Sequence, residues 1–367
     1  LIIQGTLRIL GAGNRIDYHI PDRFKEGYGF SVTAAQQAAD DGIGLIITAD
    51  IGVRDHAAVR LATEKGVDVI ICDHHLPAGQ AVPAEAVAVL CPPQKGCPYP
   101  NKALAACGVS LKLAEALLEE HPKRSAIIRS MLKIAAIGTV ADVVDLSTPE
   151  NRAIVSFGLK GLQAGVHVPG LRALMDVAGL HGPISAGDLG FKLGPRINAA
   201  GRLAQATAVI ELFDERDPAA ARARAQALDD LNRERQQIQH RLVSQCLDAL
   251  PDPAPAFVTL WGAESEGWHR GVVGIVAAKV RDAVNRPVAI ISIAGPDARG
   301  SVRSTPDRHA VHALDAASEL LVAYGGHPAA AGFSVQTEQL EQLQSQLIDW
   351  ASQQSDAGDV TPTLHVD

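Results

Sequence analysis

The sequence predicts an α/β protein: a parallel-sheet domain joined by a long helix to a smaller α/β domain. Three observations carry this. Strand-like and helix-like segments alternate over residues 1–150, which implies βαβ units with helices on both faces of a parallel sheet. From Pro218 to Leu250 the chain is rich in Ala, Arg, Gln, Glu and Leu, all good helix formers, and the run Pro251–Pro255 ends that stretch. Past it, strand-like and helix-like segments alternate again.

Taken in order, Leu1–Leu10 has the pattern of a helix already under way, so the chain is expected to be part of a longer protein. Arg15–Ile20 reads as a strand, Val32–Asp40 as a helix and Leu45–Thr48 as a strand. His56–Lys65 reads as a helix closed by Gly66, and Val67–Ile71 as the next strand. Residues 150–215 are expected to be mostly helical with loops. In the long helix, Leu228, Leu231, Ile238 and Leu242 lie near one face. The second domain reads as strand Ala256–Leu260, helix Val272–Val284, strands Pro287–Ile293 and Ser301–Ser304, then helix and strand through Val335. The expected division is a domain over 1–215, a connecting helix over 216–250, a second domain over 251–350 and a linker over 351–367.

Composition narrows the function classes. The 367 residues are 47% apolar with only 4% aromatics, so the cores must be built from Ala, Val, Ile and Leu. Apolar runs are interrupted well short of the ~18 residues that a membrane span needs, and no membrane association is expected. The five cysteines, Cys72, Cys91, Cys97, Cys107 and Cys246, have no zinc-knuckle spacing and read as free thiols of a cytoplasmic protein. A net charge of −8 argues against bulk electrostatic binding of nucleic acid. It is compatible with a localised basic groove, or with a carboxylate cluster offset by bound metal.

The chemistry begins at Asp73-His74-His75, directly after the apolar run Val67-Asp68-Val69-Ile70-Ile71-Cys72. Carboxylate oxygen and imidazole nitrogen suit Mn, Mg, Zn or Fe. Asp50, in Thr48-Ala49-Asp50-Ile51-Gly52, ends the preceding strand, and one right-handed crossover brings both aspartates to the same sheet edge. Asp50 could instead cap the following helix, although Asp55 is better placed for that. Asp142, in Gly138-Thr139-Val140-Ala141-Asp142-Val143-Val144, must be paired, hydrogen-bonded or metal-bound if buried; a surface loop or an N-cap is the alternative. Adjacent His74 and His75 diverge, so one can bind metal while the other faces substrate.

Downstream, Phe191-Lys192-Leu193-Gly194-Pro195-Arg196-Ile197-Asn198-Ala199-Ala200-Gly201-Arg202 reads as a basic, glycine-rich loop able to hold phosphates. Ser301-Val302-Arg303-Ser304 and Gly325-Gly326-His327-Pro328 repeat the theme, although Gly-Gly commonly just ends a helix. Gly11-Ala12-Gly13 lacks a third glycine and a following helix, and is set aside as a dinucleotide loop.

With these residues in hand, the chain resembles the DHH phosphoesterase superfamily, and within it the RecJ-type single-strand exonucleases. The matching motifs run from Pro21-Asp22-Arg23-Phe24 and Gly27-Tyr28-Gly29 to Gly325-Gly326-His327. Leu193–Arg202 is the most specific of them. Trp268-His269-Arg270-Gly271-Val272-Val273-Gly274-Ile275 and Ser301–Ser304 look like the DHH-associated second domain. The resemblance implies a cleft between the domains that threads one strand, and 5′→3′ hydrolysis of single-stranded DNA in repair and recombination with two Mn or Mg ions.

The resemblance further implies Asp50, His74 and Asp142 as metal ligands, Asp73 orienting a neighbouring histidine, and His75 on the scissile phosphate. Arg23, Arg196, Asn198, Arg202, Ser301, Arg303 and His327 would contact the DNA. A monomer working with single-strand-binding protein and a RecQ-type helicase is implied as well. The family's opening strand with Asp-x-Asp is not matched, and the chain ends where an OB-fold would begin, so a fragment with impaired activity is expected. The alternatives are a DHH phosphodiesterase acting on short RNA or nucleotides, and an inactive nucleic-acid-binding scaffold.

Overall fold

The computed structural model describes residues 1–354 apart from residues 23–25, 28, 78 and 80. It divides into two compact units, Leu1–Asn232 and Arg233–Asp367. Arg23 lies outside the described residues, as do Phe24 and Tyr28 of the same motifs and the segment after residue 354.

The first unit opens with α1 (Ile2–Ile9), α2 (Val32–Asp40), β1 (Leu45–Ala49), α3 (His56–Glu64), β2 (Asp68–Cys72) and β3 (Ala88–Leu90). The strands form a parallel sheet in the order β1-β2-β3, with Ala49 opposite Cys72 and Cys72 opposite Leu90. Side chains alternate across a strand, and β2 uses both faces. Val69 and Ile71 pack with Ala35, Ala58, Val59 and Ala62 of α2 and α3. Cys72 and Ile70 pack on the opposite face, with Ile2 of α1 and with the helices α4 (Ala106–Leu117) and α5 (Arg124–Ala141). Helices therefore cover both faces, as the patterning requires.

The unit continues through α6 (Pro149–Gln163), α7 (Pro169–Val177), the single turn α8 (Ala186–Asp188), a π-helical turn at Leu189–Leu193, α9 (Gly194–Leu203), α10 (Thr207–Asp214) and the part of α11 (Pro218–Asp248) up to Asn232. Their apolar faces close over Leu162, Leu174, Leu189, Leu193, Leu212 and Leu228, all essentially inaccessible to solvent. Truncating any one of these to Ala removes contacts that the packed surroundings cannot replace, at a cost of about 2–5 kcal/mol.

The second unit contains β4 (Val258–Ala263), α12 (Val273–Val284), β5 (Val288–Ala294), β6 (Asp297–Arg303), α13 (Ala310–Asp315), β7 (Leu321–His327), β8 (Ala330–Gln336) and α14 (Leu340–Gln353). The sheet order is β4-β5-β6-β8-β7, with β4 and β5 parallel and the other pairs antiparallel. Phe257, Ala289, Ile291, Val302 and Leu314 pack with Leu343 and Leu347 of α14. Among the described residues no helix is long and apolar enough to cross a membrane.

Three expectations are corrected. Arg15–Ile20 is not a strand: Gly13–Arg15 forms a 3-10 turn and residues 16–20 run without a ladder partner. Ile16, Tyr18 and Ile20 do alternate with polar residues, but Tyr18 is exposed, the two isoleucines are only partly covered, and no strand pairs with the segment. Phe191–Arg202 is not a loop but the π-turn running into α9. Pro195 sits in the first turn of α9, where its missing N–H costs nothing. Gly325-Gly326 does not end a helix; both residues lie inside β7.

One polar network fixes the loop between α5 and α6. Glu150 accepts from Tyr99 at 2.7 Å and Asn101 at 3.2 Å, and pairs with Lys112 at 2.9 Å. Buried Asn151 donates to the carbonyls of Ala103 and Asp145, both at 2.8 Å. Burial works to raise the Glu150 carboxyl, but the hydrogen bonds from Tyr99, Lys112 and Asn101 together hold it below its ordinary value.

A carboxyl lowered in the folded state stabilises above its unfolded pKa and loses that contribution as pH falls through the folded one. The stability difference between the wild-type chain and Glu150→Gln, measured by denaturant titration, is therefore expected to hold near neutral pH and to shrink below about pH 4.5. Asn151→Ala is expected to cost about 1–3 kcal/mol, because it removes the buried amide's hydrogen bonds to the Ala103 and Asp145 carbonyls. Unchanged stability would show that water replaces the amide.

Candidate metal centre

Both site loops leave the sheet at the carboxyl ends of parallel strands, where such folds gather ligands. Pairing continues one residue past β1: the Asp50 amide donates to the Cys72 carbonyl at 2.9 Å, and the Asp73 amide to Leu90 at 3.0 Å. The two aspartates therefore stand side by side. Asp50 then turns left-handed, with φ 69°, a conformation that Asp tolerates better than most residues.

Gly52 follows at φ 114°, and a Cβ there would lie 2.7 Å from Thr48 Oγ1 and 3.2 Å from Ile71. Only glycine meets both constraints. Asp55 occupies the N-cap position of α3 without capping it. Its carboxylate accepts instead from the amides of Gly52 at 3.0 Å and Phe30 at 2.7 Å, and burial raises its pKa. Sequence reading assigned Asp55 to the cap and missed this role, since a partner 25 positions away leaves no local signal.

Asp73 is buried and serves as the organiser of both loops. Its Oδ1 accepts from the amides of His74 at 2.7 Å and His75 at 3.1 Å, and meets the His75 Nδ1 at 2.7 Å. Its Oδ2 accepts from Val53 at 3.1 Å, tying the loop after β1 to the loop after β2. Burial opposes ionisation, but the His75 ring and these amides outweigh it and lower the Asp73 pKa to about 2. An ionised acceptor on Nδ1 fixes the ring orientation and leaves Nε2 as the outward-facing nitrogen of His75.

His74 turns the other way, its ring centroid 4.7 Å from that of His75. Its Nε2 lies 3.2 Å from Asp50 Oδ1 and 3.3 Å from Asp142 Oδ2, yet is buried without a well-angled hydrogen bond. The neighbouring Asp50 carboxylate, against the effect of burial, raises the His74 pKa. His75 also brings a ring nitrogen into the cluster: the ligand atoms of Asp50, His74 and His75 lie within 4.8 Å of one another.

Asp142 is not the interior carboxylate that its apolar neighbours suggested. It is the residue just past α5, with its side chain partly open to solvent. A carboxylate at a helix C-terminus sits against the negative end of the helix dipole, and burial together with Asp50 raises its pKa despite His74. The sheet edge thus assembles two carboxylates around an imidazole nitrogen that lacks a hydrogen bond. This oxygen-and-nitrogen set fits a hard or borderline divalent cation.

The remaining predicted residues fall in two places. The π-turn and α9 pack on the last turn of α5, where a Cβ at Gly190 would lie 3.2 Å from Val140 and one at Gly194 3.3 Å from Ala141. Arg196 is held by buried Asp229, with both Nε and Nη2 at 2.8 Å, and donates to Lys192 O at 2.8 Å. Asn198 and Arg202 share one face of α9.

In the second unit, Arg303 and His327 both stand opposite Ala330, and Ser301 and Gly325 both stand opposite Gly332. Cross-strand partners share a sheet face, so motifs far apart in sequence form one strip floored by Ala330, Gly332 and Gly325. Arg303 donates to Ser301 Oγ at 2.8 Å, and both flank Gly274 at the start of α12.

Two known domain families match the chain. The DHH family, N-terminal domain, matches residues 2–139, and the DHHA1 domain matches residues 254–353. The single-stranded-DNA-specific exonuclease RecJ of Bacillus subtilis is 38% identical over the whole chain, which spans 45% of that protein. Its Escherichia coli counterpart is 36% identical over 92% of the chain, which spans 61% of it. The chain thus covers less than two thirds of either relative. A crystal structure of exonuclease RecJ bound to manganese superposes with a TM-score of 0.81 at 32% identity, covering 96% of this chain and 86% of that one. On the sequence identity and the shared fold, over almost the whole of that structure, the chain belongs to the DHH family, in its RecJ branch.

Proposed function

We propose that the chain carries the hydrolytic site of a divalent-metal-dependent exonuclease acting on single-stranded DNA. The observation that carries this reading is the buried His74 Nε2, faced by Asp50 and Asp142 oxygens and lacking a hydrogen bond. Asp50, His74 and Asp142 would hold Mn or Mg, two ions in all. Bound there, the ions would supply an activated water and neutralise charge on the phosphoryl group.

The chain's own residues divide the remaining work. Asp73 locks the His75 ring through Nδ1, so that Nε2 can donate to an oxygen of the scissile phosphate. Asn198 and Arg202 on α9, with Arg196 anchored by Asp229, line the approach beside Asp142. In the second unit, Ser301, Arg303 and His327 offer charge and donors above a floor of small residues, on which a sugar-phosphate backbone can lie close. Arg23 completes the set of phosphate contacts. Single-strand-binding protein and a RecQ-type helicase would be the partners that expose such a strand to a cytoplasmic, monomeric enzyme.

The test is nucleotide release from labelled single-stranded DNA with Mn2+, alongside Mn2+ binding by calorimetry. Asp50→Asn is expected to abolish both; retention of both would overturn the ligand assignment. Asp73→Asn keeps those ligands but frees His75, and is expected to lower turnover about 10–100-fold. Arg303→Ala is expected to weaken binding of oligo(dT) and mixed-sequence strands equally, with Mn2+ affinity unchanged. Release from dinucleotides or short RNA but not from DNA strands would favour a phosphodiesterase, and binding without any release would favour a scaffold.

A further inference from the structure

Arg54 lies in the turn between Asp50 and α3, and no motif read from the sequence includes it. Its Nε donates to the carbonyl of Leu76 at 2.7 Å. Leu76 directly follows His75, so this one side chain joins the two loops that carry the metal cluster. The guanidinium is exposed, and its Nη1 and Nη2 have no partner among the described residues. Within residues 50–55 and 73–76 it is the one Lys or Arg, amid Asp50, Asp55 and Asp73.

Arg54 immediately precedes the N-cap of α3, where the helix dipole disfavours positive charge. A guanidinium fixed through Nε keeps its two terminal nitrogens as a preorganised fork, the geometry that suits phosphate oxygens.

We propose that Arg54 is a positioning residue that grips a backbone phosphate next to the one being cleaved. The inference rests on the single-strand nuclease reading and adds to it a contact supplied by the first unit's own sheet edge. Held by the carbonyl after His75, the fork sets the strand at a fixed offset from the His75 Nε2. Arg54 thus registers the strand by its charge, independently of base identity.

The test compares the full wild-type chain with Arg54→Ala and Arg54→Lys. Binding of 5′-phosphorylated oligo(dT) is read by fluorescence anisotropy in Ca2+ over a series of salt concentrations, and Mn2+ affinity by calorimetry. Arg54→Ala is expected to raise Kd about tenfold to a hundredfold, the loss typical of a charge-assisted bond. It should also flatten the dependence of log Kd on log salt by about 0.7, one phosphate contact for a single strand. Arg54→Lys should restore the slope but not the full affinity, and Mn2+ affinity should not change in either variant.

An unchanged Kd and slope would overturn the inference. So would a parallel fall in Mn2+ affinity, which would reduce Arg54 to a link between loops. Failure of the wild-type chain to bind Mn2+, with the Arg54 effects intact, would count against the metal-nuclease reading and leave the phosphate contact standing.

Discussion

Everything at the first unit's site hangs on the parallel register of β1 with β2. Ala49 pairs with Cys72, and the Asp50 amide extends that pairing to the Cys72 carbonyl at 2.9 Å. A shift of one residue would turn Val69 and Ile71 away from α2 and α3 and expose them, so the buried faces enforce the register. The side-by-side placement of Asp50 and Asp73 follows from that without further adjustment, because two chain exits from adjacent parallel strands must lie side by side. Asp73 then uses the adjacency: one buried carboxylate holds Val53 on the first loop and both histidines on the second. Stability and function are the same set of contacts here, since removing Asp73 would leave three amides and a ring nitrogen without their acceptor.

How far the sequence reaches depends on the range of the cause. The strands Leu45–Ala49 and Asp68–Cys72 and the helices beside them are local patterns of apolar residues, and reading them placed Asp50 and Asp73 at one sheet edge. Arg15–Ile20 misled because alternation alone does not specify a strand; a strand also needs a neighbour to pair with, and residues 16–20 have none. The basic segment around Pro195 misled in the other direction. Glycines and a proline suggest a loop, yet proline is at home in a first helical turn, and Gly190 and Gly194 serve to let α5 approach.

Position in space was legible only where topology dictates it. Sequence left Asp142 open between an interior carboxylate and a surface loop; its apolar neighbours belong to the last turn of α5, and the residue itself lies just beyond the helix end. The Asp55–Phe30 bond and the Arg54–Leu76 bond span 25 and 22 positions and involve backbone groups, so no side-chain pattern announces them. The strip of Ser301, Arg303 and His327 was visible as separate fragments. Only the order β6-β8-β7 puts them on one face.

Charge placement separates function from folding at this sheet edge. A chain selected for helix stability alone would put carboxylates at helix N-termini and cations at C-termini. Here Asp142 follows the C-terminus of α5, and Arg54 precedes the N-terminus of α3. The helix dipole opposes each placement, and the proposed cation at Asp142, Asp50 and His74 and the proposed phosphate at Arg54 would each offset it. The two opposed charges sit on loops joined through Asp73 and His74, an arrangement that would suit the proposed metal-bound phosphodiester. The net charge of −8 is no obstacle to such a substrate, because recognition at this range is set by the few groups within a Debye length of about 8–10 Å.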